Sequence, residues 1–232
     1  MLIAHGGSFV VLCCEVFMVF ERTDFFPASR RLSDLPWVTF VMVAINVVVF
    51  FIIEATGSTE DTDYMIRMGG LYDPLVTQDH EYWRLITHFF LHFGPTHLFN
   101  NMISLLILGY ATESTLGHIK YFFLYFFSGI LAGVVTIVYN MYLGAEGNVS
   151  CGASGAIFGL SGALLVILIR RNIGRRSTEV LRYLIFMGLS LYSGYLDPSI
   201  SFSAHAGGFV AGALLCVLMT LGKSGGKSKY AS

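Results

Sequence analysis

The chain has 232 residues, of which 55% are hydrophobic and 12% are charged. A soluble domain carries roughly 25% charged residues, so this composition excludes an ordinary soluble domain and indicates an integral membrane protein. The net charge of −1 excludes the basic footprint of a nucleic-acid-binding protein.

The first predicted element is a short apolar stretch at residues 9–20. It contains Glu15 and lacks the basic start and cleavage site of a signal peptide. It is open to three interpretations: a weak seventh span, an interfacial helix, or an extension upstream of a true start at Met18, which we favour. We assign residues 1–36 to an N-terminal cytoplasmic tail, residues 37–221 to one membrane domain and residues 222–232 to a C-terminal cytoplasmic tail.

Six apolar segments approach or reach the length of a transmembrane helix, which needs about 20 largely apolar residues. They are residues 37–53, 96–112, 121–143, 152–169, 180–196 and 203–221. Of the 14 Lys and Arg residues, only Arg67 and Arg84 fall on the side opposite the termini, so both termini are predicted to be cytoplasmic. The predicted fold class is all-α: a polytopic, multi-pass bundle of six transmembrane helices. This arrangement, with almost no soluble domain, fits a protein of the bacterial inner (plasma) membrane, and the membrane of a eukaryotic organelle is the alternative.

The loop between the first two spans, residues 54–87, is long for an ordered connection. It contains Leu71-Tyr72-Asp73-Pro74 and Tyr82-Trp83-Arg84-Leu85, whose aromatic side chains suit a membrane interface. We predict that the loop is partly helical and lies on, or dips into, the outer leaflet.

Polar side chains stand at the predicted outer ends of three spans, and polar groups inside a membrane are costly enough to be functional candidates. His97 and Asn101 share one face of the second span, because they are four residues apart. Ser154 begins the fourth span, and His205 begins the sixth. The sequence therefore places a hydroxyl group, two imidazole rings and one amide at a common depth.

This set suits acyl transfer. A serine hydroxyl such as that of Ser154 needs an adjacent base to take its proton, and His205 can do so near neutral pH. The developing oxyanion needs donors, which His97, Asn101 and the Ser154 backbone N–H can supply. Because no Asp or Glu within the spans is available to orient His205, the sequence predicts a Ser–His dyad and not a triad.

Small residues surround the candidate serine. Gly152 and Gly155 permit a close approach of backbone and substrate. Phe158 lies four residues after Ser154 and is expected to pack against the His205 ring. The small-residue pattern of close helix packing occurs in three apolar segments, at Gly129/Gly133, Gly155/Gly159 and Gly208/Gly212.

Each of these residues also has a structural interpretation. Small residues and serine abound at membrane helix interfaces, and a lone membrane histidine is often a bonded packing residue. His88 and His92 have the spacing of two metal ligands on a helix, but ordinary interfacial histidines are the favoured interpretation. Cys151 is the cysteine whose position beside Ser154 bears on the chemistry; Cys13, Cys14 and Cys216 are interpreted as packing residues. The shared depth of Ser154, His205, His97 and Asn101 favours catalysis.

The order of the motifs resembles that of the rhomboid intramembrane serine proteases, over about residues 37–221. The matching segments are Trp83-Arg84, His97-xxx-Asn101, Glu113-xxx-Gly117, Gly152-Ala153-Ser154-Gly155 and Ala204-His205-xx-Gly208. They are similar, in turn, to the family's first-loop Trp-Arg pair, HxxxN helix, Glu-containing turn, GxSG nucleophile motif and AHxxG base motif. Residues 197–203 and Ala206 depart from the family's pattern, which leaves substrate preference and cavity shape open.

The resemblance implies a six-helix rhomboid protease domain with a water-filled cavity open to the outer face. It implies Ser154 as nucleophile, His205 as general base, and His97 with Asn101 at the oxyanion. The implied supporting residues are Gly152, Gly155, Phe158, Trp83 and Arg84. The implied substrates are single-span membrane proteins cleaved near the outer leaflet, with the lipid bilayer as surroundings, no nucleic-acid partner, no metal and no organic cofactor.

Two other functions compete with this one. A catalytically silent rhomboid-like protein would bind membrane clients with the same fold and would not need Ser154. A metal-binding membrane protein or transporter would use His88, His92, His97 and His205. The second alternative is disfavoured because no carboxylate or cysteine inside the membrane joins those histidines.

Overall fold

The computed structural model describes residues 35–145, 147–171, 178–196 and 201–221. The predictions for residues 9–20, for the start at Met18 and for the C-terminal tail at residues 222–232 lie outside these ranges. The unmatched residues 197–200 before His205 also lie outside them.

Helices form nearly all of the described chain. In chain order the elements are α1 (Trp37–Thr56), α2 (Thr62–Arg67), β1 (Leu71–Tyr72), α3 (Asp73–Thr77), α4 (Arg84–Thr87), a 3₁₀ turn (His88–Phe90), α5 (Gly94–Leu116), α6 (His118–Leu143), β2 (Val149–Ser150), α7 (Ser154–Arg171), α8 (Thr178–Leu196) and α9 (Phe202–Thr220).

The six long helices α1 and α5–α9 coincide with the six predicted spans, so the chain is an all-α integral membrane protein. Among the described helices, α1, α6, α7 and α9 are long and apolar enough to cross a membrane by length and composition alone. α5 falls short because it carries the polar residues of the predicted site and the buried Glu113. α7 is the most deeply buried of the four, as expected for a central helix.

α7 and α9 approach each other along a row of glycines, which we call the glycine seam: Gly155 and Gly159 of α7 with Gly208 and Gly212 of α9. A side-chain carbon built on Gly208 would overlap the Gly155 carbonyl, and one built on Gly212 would overlap the Gly159 carbonyl. Two of the three predicted small-residue pairs therefore do bring helix backbones into contact.

The third pair serves a different contact. A carbon built on Gly129 would lie 3.0 Å from the Phe89 ring, and one built on Gly133 would lie 3.0 Å from His88 Nε2. These two glycines of α6 thus make room mainly for the rings of the 3₁₀ turn, and Gly129 also lies close to Ala156 of α7. The 3₁₀ turn is therefore buried against α6, and this contact fixes the position of the chain just before α5.

The N-terminus of α1 is capped by a carboxylate from another helix. Buried Glu113 of α5 accepts hydrogen bonds from the backbone N–H groups of Val38 (3.0 Å) and Thr39 (2.8 Å) and from the Thr39 hydroxyl (2.7 Å). It also contacts His118 Nδ1 at 2.5 Å. These bonds satisfy donors that a helix leaves free at its start, so Glu113 joins α1 to the turn between α5 and α6.

The long loop after α1 is partly helical, as predicted, with α2, α3 and α4 on either side of strand β1. β1 pairs antiparallel with β2, with Leu71 opposite Ser150 and Tyr72 opposite Val149. The buried Asp73 carboxylate accepts a hydrogen bond from Asn140 Nδ2 of α6 at 2.8 Å. The loop is therefore attached to the bundle at two points, one of which leads directly to the start of α7.

Substituting Gly212 by alanine tests the glycine seam. The added methyl group has no room beside the Gly159 carbonyl, so we expect Gly212→Ala to lower the stability by about 1–3 kcal/mol, the usual cost of overpacking. Thermal unfolding in detergent measures the change. Gly188→Ala in α8 is the matched control, since nothing lies within 4 Å of the built carbon and alanine is the better helix former. An unchanged melting temperature for Gly212→Ala would contradict the close packing.

Candidate active site

Three helices begin at the candidate site. Ser154 is the first residue of α7, His205 lies in the first turn of α9, and His97 and Asn101 lie in the first two turns of α5. A methyl group built on Gly152 would lie 2.8 Å from His97 Cε1 and 3.8 Å from Ser154 Oγ. The structure thus brings the His97 ring and the Ser154 hydroxyl close to the same glycine.

The His205 ring is oriented by an aromatic neighbour. It stacks on Phe158 of α7, with ring centroids 4.1 Å apart and an interplanar angle of 16°. His205 is buried and its Nδ1 has no hydrogen-bond partner among the described residues, so no carboxylate orients the ring there. Ser154, one helical turn before Phe158, lies on the same side of α7. The predicted packing of Phe158 against His205 is confirmed.

Ser154 Oγ and the His205 ring are not hydrogen-bonded to each other in the described part of the chain. In enzymes without bound substrate, the bond between nucleophile and base is often long and tightens only in the complex. Two contacts link the helices that carry these residues. Phe158 of α7 stacks on His205 of α9, and the glycine seam sets the separation of α7 and α9.

Asn101 is held by its own helix. Its side-chain nitrogen Nδ2 donates a hydrogen bond to the His97 carbonyl at 2.9 Å, and the side chain is buried. An amide nitrogen carries two hydrogens, so this bond occupies one of them and leaves the second N–H as a donor. This hydrogen bond fixes the plane of the Asn101 amide beside His97, whose ring lies close to Gly152.

The loop that precedes Ser154 is held by two histidines whose structural role the sequence did not reveal. The Gly152 N–H donates to the His88 carbonyl at 2.9 Å, and the Ala153 N–H donates to His92 Nε2 at 3.3 Å. Burial lowers the pKa of His92 to about 3, with a smaller contribution from the nearby His97, so Nε2 remains a neutral acceptor at physiological pH.

His88 and His92 are buried within the protein, with exposed fractions of 3% and 1%. Burial also lowers the pKa of His88 to about 4. Leu91 has an extended backbone between the 3₁₀ turn and α5, so the two rings do not share a helix face as their spacing suggested. Within the described ranges, no three His, Cys, Asp or Glu side chains are grouped as metal ligands would be.

Arg84 supports the site from the loop after α1. Its Nη1 donates to the Ile66 carbonyl (2.6 Å) and the Gly70 carbonyl (2.9 Å), and its Nε pairs with Glu81 at 2.6 Å. The guanidinium lies 4.6 Å from the centroid of the Trp83 ring, which is itself half-exposed. Arg84 thereby fixes the backbone that leads into β1, and β1 in turn holds β2 in front of the serine loop.

Cys151 lies between β2 and Gly152 and is buried. A carbon built on Gly70 would lie 2.9 Å from its Sγ, so the thiol fills the space beneath the start of β1. Burial raises the pKa of the Cys151 thiol to about 12, which keeps it neutral and unreactive at physiological pH. Its role is packing, and it does not compete with Ser154 as a nucleophile.

Gly152→Ala tests the contact between the serine loop and His97. Gly152 has φ +140, and an added methyl group would also collide with the His97 ring. We expect lower thermal stability and a strong loss of the reaction of Ser154 with a fluorophosphonate. Gly147→Ala is the matched control, because Gly147 has φ +98 while only Tyr72 Oη lies within 4 Å, at 3.9 Å. Equal behaviour of the two variants would show that the His97 contact is unimportant.

Comparisons with known proteins place the chain in a family. Residues 79–221 match the model of the Rhomboid domain. The chain is 30% identical over 194 residues to the rhomboid protease GluP of Bacillus subtilis, covering 84% of this chain and 37% of GluP. It is 37% identical over 151 residues to RHOMBOID-like protein 1 of Arabidopsis thaliana, covering 64% of this chain and 37% of that protein.

A third relative is nearly the same length as the aligned region. The Bacillus subtilis rhomboid YdcA is 32% identical over 205 residues, which cover 86% of this chain and 96% of YdcA. The chain thus spans about a third of the length of GluP and of the Arabidopsis protein, and almost the whole of YdcA. Since the matched domain takes in more than half of the chain and contains each residue of the candidate site, the chain belongs to the rhomboid family.

Proposed function

We propose that the chain is an intramembrane serine endopeptidase that cleaves single-span membrane proteins near the outer leaflet. Ser154 is the nucleophile and His205 is the general base. The observation that carries the proposal is the stack of His205 on Phe158, one turn along α7 from Ser154, at 4.1 Å between ring centroids. Ser154 is the first residue of the largely buried helix α7 and lies two residues after Gly152, whose φ is +140.

The reaction follows from the groups present. His205 takes the proton of the Ser154 hydroxyl while Oγ forms a bond to the carbonyl carbon of the scissile peptide. The resulting tetrahedral intermediate collapses, its C–N bond breaks, and the proton moves from His205 to the leaving amine. A water molecule then gives its proton to His205 and attacks the acyl-enzyme, which releases the new carboxyl terminus and restores Ser154.

In this mechanism the oxyanion is bound by one backbone donor and two side-chain donors. The backbone N–H of Ser154 opens α7, where the helix leaves its first amides free and concentrates partial positive charge. The second N–H of Asn101 and a ring N–H of His97 are the side-chain donors. The bond from Asn101 to the His97 carbonyl supports this role, because a donor already fixed in place loses little entropy when the intermediate forms.

The membrane setting completes the proposal. Residues 37–221 form the protease domain, with both termini in the cytoplasm of a bacterial cell and the site near the outer face of the inner membrane. The substrate is a transmembrane segment that unwinds at small residues and presents an extended peptide to Ser154. Supporting residues are Gly152, Gly155, Phe158, Trp83 and Arg84, and the chemistry described requires neither a metal nor an organic cofactor.

Removing either member of the dyad tests the mechanism. We expect Ser154→Ala and His205→Ala each to abolish cleavage of a tagged model single-span protein co-expressed in membranes, because neither nucleophile nor base has a substitute. Ser161→Ala is the control, since its buried hydroxyl donates to the Ile157 carbonyl of its own helix. Cleavage that persists in Ser154→Ala would contradict the dyad. A wild type that binds the substrate without cleaving it would favour the catalytically silent client-binding alternative.

Asn101→Ala tests the oxyanion site. Loss of one oxyanion donor typically lowers kcat about 10²–10³-fold, so we expect a large decrease that is still smaller than the complete loss in His205→Ala. Steady-state cleavage in detergent measures the effect. Asn100→Ala is the control, because Asn100 directly precedes Asn101 and points about 100° away around the helix. Its kcat is expected to remain within about twofold of wild type. If Asn101→Ala retained the wild-type rate, Asn101 would have no role at the oxyanion.

A further inference from the structure

A continuous series of hydrogen bonds joins the start of α9 to the middle of α6, and we call it the hydroxyl chain. The Ala204 N–H donates to Ser201 Oγ at 3.3 Å, and Ser201 Oγ lies 3.2 Å from Ser203 Oγ. Ser203 Oγ donates to Thr136 Oγ1 at 3.4 Å, and Thr136 Oγ1 donates to the Ala132 carbonyl at 2.9 Å. None of these side chains belongs to the site described above.

The hydroxyl chain has one direction. A hydroxyl group carries a single hydrogen, and those of Ser203 and Thr136 are already committed to Thr136 and to the Ala132 carbonyl. Ser201 must therefore donate to Ser203, and it accepts from the Ala204 N–H. Each hydroxyl is then both donor and acceptor, an arrangement in which neighbouring bonds strengthen one another.

The two ends of the hydroxyl chain lie beside the two members of the dyad. Ser201 is the N-cap of α9, and its carbonyl accepts the His205 N–H at 3.2 Å. At the other end, a carbon built on Gly155, the neighbour of Ser154, would lie 2.7 Å from the Ala132 methyl group. The chain of bonds thus connects the turn that carries His205 to the part of α6 that packs beside Ser154.

Packing alone does not explain these residues. Thr136 and Ser203 are 3% and 7% exposed, and valine and alanine would fill nearly the same space without bringing hydroxyl groups into an apolar bundle. Thr136 already satisfies its hydrogen within α6, so its bond from Ser203 adds nothing to the stability of α6 itself. That bond joins two helices, at the position where the rotation of α9 decides how the His205 ring meets Phe158.

We propose that Thr136 and Ser203 are positioning residues that set His205 over Ser154. The inference rests on the proposed function, because the position of His205 matters to rate only if His205 is the base. α9 has no carboxylate partner for the ring in the described part of the chain, so its first turn must be held by other bonds. The hydroxyl chain supplies them through Ser201, whose side chain and carbonyl bind two successive N–H groups of that turn.

The main test substitutes Thr136. Thr136→Val keeps the shape and removes the hydroxyl, and we expect kcat to fall about tenfold while KM stays within about twofold. Thr136→Ser keeps the hydroxyl and should restore kcat to within about twofold. Thr112→Val is the matched control, because Thr112 is equally buried and its hydroxyl bonds only the Leu108 carbonyl of its own helix. The control variant should cleave like wild type.

A second variant tests the inference from the α9 side. Ser203→Ala removes the donor to Thr136 and should lower kcat as Thr136→Val does, and it serves alone if Thr136→Val fails to fold. The double variant should be no slower than the slower single variant, because both remove the same bond. Amide hydrogen exchange at Ala204 and His205 is a readout independent of activity, and it should rise in Thr136→Val and Ser203→Ala but not in Thr112→Val.

The outcomes separate the inference from the proposed function. If wild type shows no Ser154-dependent cleavage, the proposed function fails, while the exchange rates still report whether the hydroxyl chain holds α9. If wild type cleaves and Thr136→Val equals Thr112→Val in kcat and exchange, the positioning role is wrong. Loss of activity in Thr136→Ser equal to that in Thr136→Val would also overturn it, as would additive effects in the double variant.

Discussion

The contact between α7 and α9 is the constraint on which the rest of the structure depends. Glycines on the facing sides of α7 and α9 let the two backbones come into contact; they are Gly155, Gly159, Gly208 and Gly212. Because apolar side chains gain little by leaving lipid for another helix, van der Waals contacts stabilise this packing in place of the hydrophobic effect. The residues of the proposed dyad lie beside this contact, since Ser154 directly precedes Gly155. The separation of the proposed nucleophile and base is therefore set by backbone atoms, which are stiffer than side chains.

The remaining elements keep the two helix starts in register. Backbone polar groups cannot be left without partners in a membrane protein, and the loop before Ser154 meets this need by binding the His88 carbonyl and the His92 ring. Arg84 likewise provides hydrogen-bond partners for the backbone before β1, because its Nη1 donates to two carbonyls there. These bonds satisfy buried groups and, at the same time, restrain the backbone of the serine loop.

The sequence predicted the six long helices because hydropathy and helix length are local properties. It also predicted the stack of Phe158 on His205, because a four-residue spacing has a definite meaning inside a regular helix. The same four-residue spacing did not place His88 and His92 on one helix face, because Leu91 between them has an extended backbone. The bond from Ser203 to Thr136 was not predictable, because it joins residues 67 positions apart and depends on how two helices are rotated.

The absence of a carboxylate beside His205 in the described chain has a physical explanation. A carboxylate in the bundle interior would need several compensating bonds, since an unpaired buried charge costs several kcal/mol. The two buried carboxylates that the structure describes, Asp73 and Glu113, accept hydrogen bonds at opposite ends of α6, and neither is bonded to His205. An aromatic stack orients the His205 ring without burying charge, and in the proposed mechanism it leaves Nε2 as the proton acceptor. A ring stack fixes the position of the His205 ring less tightly than a hydrogen bond to a carboxylate would. The hydrogen bonds that Ser201 accepts in the first turn of α9 supply further restraint.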